Sequence, residues 1–334
     1  MTSPGIAVVD FTDARAGGER RARFVDGVGA ALAHIGFFAV RNHGIPSSTI
    51  EAAYREARAF FALTDDVKRR YEDAARKAQR GYTSFGKEHA KGVDAPDLKE
   101  FWQVGRTDVP DDHAIHAPYG PNVWPRERPA FRQAMTALYE SLDALGRELL
   151  VACAEYVGEP AGRYADMARE GDTILRVIHY PPVDDEPLPA VRSSDAGGIA
   201  DGALSESIRA GAHEDINLIT LLVGATEDGL ELLQKDGSWL PIRAQHDEIL
   251  VDTGDMMQWC TNGLYRSTTH RVVRPKSEKR GEPRYSMPCF IHPRPDVVLA
   301  PSSSTIAKTG GVRRYDPITA GDYLTRRLKE IGVG

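Results

Sequence analysis

The chain has 334 residues, 41% of them hydrophobic and 27% charged, with a formal net charge of −6. This composition suits one large globular domain or two intimate ones, and it offers no general basic surface for nucleic acid or an anionic membrane. No apolar run has bilayer-spanning length, Met1-Thr2-Ser3-Pro4-Gly5 is not a charged-then-apolar leader, and Cys153, Cys260 and Cys289 lack CxxC spacing, so reduced thiols in a cytoplasmic protein are expected.

The first third reads as helices edged by short strands. Ile6 to Phe11 is an opening strand, and Phe24, Val28, Ala31, Leu32 and Ile35 then recur at helical spacing. Gly36 to Val40 is a compact apolar strand that runs into the turn Asn42-His43-Gly44-Ile45-Pro46. Ser48 and Glu51 form a capping box for the next helix, and a charged helix is expected over Asp66 to Lys77. Residues 81–122 read as loop, with Lys99-Glu100-Phe101-Trp102 embedded in it. From Pro129 to Val157 the residues Phe131, Met135, Leu138, Leu142, Leu145 and Leu149 make one apolar stripe, the mark of a long scaffold helix.

From Thr173 onward the pattern changes to strands. Ile174 to Tyr180 is followed by Pro181-Pro182, and residues 183–211, rich in Asp, Gly, Ser and Ala, read as a surface loop that is either a lid or a tolerated insertion. Strands are expected over His213 to Val223, Glu248 to Asp252, His270 to Arg274 and Tyr285 to His292, with a hairpin at Gln234 to Gly237, a turn at Thr253-Gly254-Asp255 and a terminal amphipathic helix over residues 319–331. Many short strands with glycine-containing turns indicate a double-sheet jelly roll. The expected fold class is therefore α+β and mainly β, a jelly-roll or double-stranded β-helix core flanked by N-terminal helices and the scaffold helix. The expected division is an N-terminal helical and loop region over 1–125 and a core with a C-terminal helix over 126–334.

His213, Asp215 and His270 are the candidate metal ligands. On a strand, His213 and Asp215 at i and i+2 share a face, and His270 joins them from a neighbouring strand. Two imidazoles and a carboxylate are the donor set that holds non-haem Fe(II) and leaves positions open. An HxD pair alone is common; His246 and His292 are alternative partners, of which His292 lacks a carboxylate two residues away, and His43 and His179 read as structural. Arg284 and Ser286, also i and i+2, share a strand face, where a guanidinium fork and a hydroxyl match a carboxylate; Tyr180 is a candidate third donor. A surface arginine and a barrel-edge tyrosine are the competing readings.

Together these residues resemble the isopenicillin N synthase-like branch of the Fe(II)/2-oxoglutarate-dependent oxygenases. The similarity runs through Gly36-Phe37-Phe38-Ala39-Val40-Arg41-Asn42-His43-Gly44-Ile45, Phe60 to Leu63, Gly81-Tyr82, His213-Glu214-Asp215, Gly254-Asp255, Thr261-Asn262-Gly263, Ser267, His270-Arg271-Val272 and Arg284-Tyr285-Ser286. The resemblance implies that His213, Asp215 and His270 ligate Fe(II), and that Arg284, Ser286 and Tyr180 bind 2-oxoglutarate. It further implies O2 as oxidant and release of succinate and CO2, with oxidation, most simply hydroxylation, of a small molecule that is amino-acid-like or carboxylate-bearing. Lys99, Phe101, Trp102, Arg176 and Trp259 are the candidate substrate contacts, against a competing reading of ordinary packing or surface charge. Two alternatives remain open at this level: an oxidase or ethylene-forming type that uses the Arg-x-Ser pair differently, and a jelly-roll binding protein without turnover.

Overall fold

The computed structural model describes residues 5–87, 97–111, 119–182, 208–224, 229–243, 245, 247–273 and 282–330. Among them the strands are β1 (Ala7–Asp10), β2 (Phe37–Arg41), β3 (Gly81–Thr83), β4 (Glu100–Val104), β5 (Ile174–Tyr180), β6 (Ile208–His213), β7 (Ile219–Val223), β8 (Leu230–Leu233), β9 (Trp239–Ile242), β10 (Ile249–Thr253), β11 (His270–Val273), β12 (Arg284–Ile291), β13 (Val298–Leu299) and β14 (Ile318–Thr319). The α-helices are α1 (Phe11–Ala14), α2 (Gly18–His34), α3 (Ser47–Phe61), α4 (Asp65–Lys68), α5 (Pro129–Val157), α6 (Arg163–Ala168), α7 (Asp255–Cys260), α8 (Ser303–Lys308) and α9 (Ala320–Glu330). None is long and apolar enough to cross a membrane.

Two sheets form the core: an eight-stranded one in the order β1-β2-β10-β7-β12-β5-β4-β3, and a four-stranded one in the order β6-β11-β8-β9. The alternation of side chains assigns each strand of the large sheet two duties. Phe38 and Val40, Leu175 and Val177, Leu221 and Val223, Ile249 and Val251, and Met287, Cys289 and Ile291 turn outward, where α2, α3 and α5 cover them. The α5 stripe Phe131, Met135, Leu138, Leu142, Leu145 and Leu149 is in this cluster, as its spacing predicts. The inner face is more polar. At one end Phe37, Ala39 and Leu250 pack against Leu230, Leu232 and Ile242 of the small sheet. Further along, Phe101, Ile178 and Tyr180 meet Ala210 and Val272.

Several sequence expectations are corrected. Residues 81–122 contain β3 and β4, paired antiparallel with Tyr82 opposite Trp102, so the chain rejoins the large sheet where a loop was expected. The helix over Asp66 to Lys77 ends at Lys68 and gives way to short 3-10 turns at Arg69–Tyr71 and Ala74–Arg76. Glu72 is extended, and the left-handed Lys77 and Ala78 forbid helical continuation. Helix α3 starts at Ser47 behind Pro46 with no side-chain cap, so the Ser48–Glu51 box does not form; proline's fixed φ supplies the entry instead. Residues 208–211 are the start of β6, while the remainder of the 183–211 loop, and His246, lie outside the described residues. The strand expected over His213 to Val223 is two strands, β6 and β7, in different sheets.

Candidate active site

That last correction changes how the site is built. His213 is the final residue of β6, and Asp215 follows it in the crossing from the small sheet to the large one. Asp215 is therefore placed by the turn, not by strand alternation. Its carbonyl accepts from the Asp255 amide at 2.7 Å, and its carboxylate Oδ2 accepts from the hydroxyl of Thr220, an inward residue of β7. Asn217 Nδ2 donates to the same Thr220 hydroxyl at 2.9 Å, which aims that O–H at Asp215. Gly254 makes the approach possible: a Cβ there would lie 2.2 Å from the Asn217 carbonyl oxygen.

His270, first in β11, pairs directly with His213. Both rings are oriented through Nδ1, which donates to the Gly211 carbonyl at 2.8 Å in His213 and to the Thr268 carbonyl at 3.1 Å in His270. Each Nε2 is then the lone-pair nitrogen, and each lies 3.8 Å from Asp215 Oδ1. The three ligand atoms fall within 4.8 Å of one another. Burial, with the second imidazole alongside, lowers the pKa of His270 and favours the neutral ring a metal requires. Burial and the neighbouring Asp215 carboxylate push the carboxyl of Asp252 well above its usual range, favouring the acid form that hydrogen-bonds Asp215. Two neutral imidazoles, one carboxylate and orienting hydrogen bonds on all three fit a divalent iron ion.

The opposite wall belongs to the large sheet. Arg284 and Ser286 sit on β12 opposite Tyr180 and Ile178 of β5. Tyr180 and Ile178 pack against Val272, which shares the inward face of β11 with His270, so the triad and the Arg-x-Ser pair face one space between the sheets. Arg284 is 1% exposed, and its guanidinium carbon stands 5.0 Å from the centre of the Tyr180 ring. A buried guanidinium beside an aromatic face and a hydroxyl is equipped to take a carboxylate bidentately.

The expected substrate contacts divide. Phe101 and Arg176 face inward; the Arg176 guanidinium carbon lies 4.4 Å from the Phe101 ring centre and 5.4 Å from that of Phe290. Lys99 is paired with Asp97 at 2.7 Å, and Asp97 accepts from the Gly211 amide at 3.0 Å, which holds this segment against β6. Trp102 does not reach the site. It is on the outward face of β4 among Phe60, Tyr71 and Phe131, because consecutive strand residues point oppositely. Trp259 is also removed: its Nε1 donates to the Asp316 carbonyl and its ring packs on Tyr315 and Tyr323, toward the C-terminal segment.

Sequence reasoning missed Thr220, Asp252, Gln103 and the setting of His292. Gln103 lies opposite Arg176 on β4. Its inward position was readable from Phe101-x-Gln103, had that stretch been taken as a strand.

Residues 6–127 match the family model described as the N-terminal region of a non-haem dioxygenase in morphine synthesis, and residues 171–293 match the 2OG-Fe(II) oxygenase superfamily. The chain is 31% identical over 337 residues to proline hydroxylase buaE of Petromyces alliaceus, covering 96% of this chain and 97% of that one. A 2OG-Fe(II) oxygenase family protein from Caulobacter crescentus superposes with a TM-score of 0.84 at 38% identity, covering 99% of this chain and 100% of the other. A full-length Neurospora crassa protein solved in complex with alpha-KG and thymine gives 0.82 at 27% identity, covering 97% of this chain and 96% of the other.

Proposed function

The chain belongs to the 2OG-Fe(II) oxygenase superfamily, in its isopenicillin N synthase-like branch, and on that premise we propose how its residues carry out the reaction. It is an Fe(II)- and 2-oxoglutarate-dependent dioxygenase that uses O2. In our reading His213, Asp215 and His270 hold the iron, and Arg284, Ser286 and Tyr180 hold the distal carboxylate of 2-oxoglutarate. When bound, iron and 2-oxoglutarate supply the decarboxylation by O2 that yields succinate and CO2 and places the second oxygen atom on the substrate.

The residues have separate tasks. The carbonyls of Gly211 and Thr268 fix both imidazoles so that two nitrogen lone pairs converge. Thr220 orients the Asp215 carboxylate through its hydroxyl. Arg284, Ser286 and Tyr180 orient a dicarboxylate from the far wall. The buried aromatic and aliphatic residues between the walls limit water at the reacting centre. The observation that carries this reading is the convergence of the two Nδ1-locked histidines and Asp215 opposite Arg284.

For the primary substrate we propose a small, amino-acid-like or carboxylate-bearing molecule oxidised most simply by hydroxylation, with Arg176 as the group that binds its oxygen. The inward guanidinium supports this, as does a proline hydroxylase among the relatives. A cytoplasmic location is supported by the free, buried Cys153, Cys260 and Cys289. Anaerobic addition of Fe(II) and then 2-oxoglutarate is expected to produce a weak visible charge-transfer band. Arg284→Ala should raise the 2-oxoglutarate concentration needed for that band by roughly 10- to 150-fold, the loss of a charge-assisted interaction, while Fe(II) binding persists. No band at saturating 2-oxoglutarate, or O2 consumption with substrate but without succinate, would overturn the reading.

A further inference from the structure

We propose that Gln103, Arg176 and His292 form the recognition subsite for the primary substrate, selecting a molecule with an N–H group beside an oxygen acceptor. This rests on the oxygenase reading above. Gln103 and Arg176 are direct cross-strand partners on β4 and β5, two residues from the inward pair Phe101 and Ile178. They therefore project toward the same space as Phe101, Ile178 and Tyr180.

The hydrogen-bonding state of Gln103 identifies what is missing. The residue is 1% exposed. Its Nε2 donates to the carbonyl of Ala78, which leaves the amide oxygen to find its own donor. Among the described residues that Oε1 has no hydrogen-bond donor. A buried acceptor left unpaired is costly and uncommon in native proteins, and a donor from a ligand removes the cost. Ala78 is itself held at φ +55, an unusual conformation for a residue with a Cβ.

His292 repeats the pattern at the end of β12. It is buried, and its Nδ1 likewise has no partner among the described residues. It follows the inward Phe290 by two residues, and the Arg176 guanidinium stands 5.4 Å from the Phe290 ring centre, which sets His292 beside the subsite; Asp172, Asp215 and Arg176 all act on it electrostatically. Burial pushes its pKa down to about 4, so at neutral pH the ring is uncharged, with one donor and one acceptor nitrogen. Arg176 contributes only donors, in a planar fork stacked on Phe101 and Phe290. A carboxylate alone suits the Arg176 fork but sets an anion against Gln103 Oε1. An oxygen with an adjacent N–H suits the fork and gives Gln103 Oε1 its donor, as in an α-amino acid or the edge of a cyclic amide.

The test uses the full chain with Fe(II) and 2-oxoglutarate, and pairs of compounds that differ only in N–H against O: proline and the other common amino acids against their oxygen-substituted acids, and lactams against lactones. The N–H member is expected to stimulate succinate formation with kcat/KM at least about 100-fold above its oxygen partner, since a site built around a hydrogen bond rejects the analogue lacking it. The pair that responds tells an amino acid from a cyclic amide. Gln103→Leu should reduce that ratio at least about tenfold while the anaerobic 2-oxoglutarate band remains as in the parent protein. Equal stimulation by both members, a ratio unchanged in Gln103→Leu, or no stimulation by any N–H compound would overturn the proposal with the band intact. If the variant does not fold, the comparison in the parent protein still decides. Loss of the band in the parent protein would instead overturn the oxygenase reading.

Discussion

At the scale of single residues, the site depends on side chains whose hydrogen-bonding capacity is committed in advance. Each metal-facing imidazole gives its Nδ1 proton to a carbonyl, and Asp215 shares its carboxylate with Thr220. Such outer partners tune metal affinity without touching the metal. Thr220→Val, nearly the same volume without the hydroxyl, is expected to weaken Fe(II) binding by roughly 10- to 100-fold, whereas Asp215→Ala should abolish specific binding. Equilibrium dialysis of both variants checks this, and parental affinity in Thr220→Val would remove the orienting role. The donor types were legible in His213-Glu214-Asp215 and His270, since no other chemistry explains that set so simply. Thr220 was not, because a threonine five residues on carries no signal until the turn is folded.

At the scale of elements, the chain bends the Asp215 turn against α7 and secures α7 with the C-terminal helix. The Asp255 amide holds the Asp215 carbonyl, while the Asp255 side chain accepts from Tyr323 at 3.1 Å and pairs with Arg327 of α9 at 3.3 Å. The hinge of this arrangement is Gly254. Gly254→Ala forces the turn away from the Asn217 carbonyl, so a destabilisation of about 1–3 kcal/mol is expected, together with weaker Fe(II) binding. Urea unfolding of the metal-free variant measures the first and dialysis the second; parental values for both would show that the turn is not set here. Helix α5 and strands β2, β5, β10 and β12 were legible from periodicity. β3 and β4 were not, because short strands set among Gly and Pro become strands only by pairing, β4 with β5 and β3 with β4. The expected continuous strand from His213 to Val223 failed for a related reason: alternation along a segment does not reveal which sheet each half joins.

For the whole molecule, the large sheet separates an apolar side, filled by α2, α3 and α5, from a polar interior between the sheets. The interior holds groups that stability at neutral pH requires to be uncharged. His292, with its pKa pushed down to about 4 from 6.5, is the clearest. Between pH 6.5 and pH 4 the unfolded chain binds a proton that the native state refuses, so stability is full above 6.5 and falls as the pH drops. The contribution of His292 is about 3 kcal/mol over that window. Urea titrations of the metal-free protein across that window, compared with His292→Gln, should show a shallower loss in the variant. The comparison cancels the opposing contribution of Asp252, whose raised pKa relieves the native state on acidification. Identical slopes would place His292 in a wetter setting than its burial implies.

The sequence by itself determined the donor types, the jelly-roll class and the long scaffold helix, because residue chemistry and periodicity are local properties of the chain. Which wall each residue faces was decided only by tertiary structure. Asp215 reaches the histidines through a crossing between sheets, Trp102 is turned outward one residue from an inward Phe101, and Gln103 meets Arg176 through strand pairing. Each of these depends on register and on contacts between segments far apart in the chain, and alternation within one segment cannot specify them.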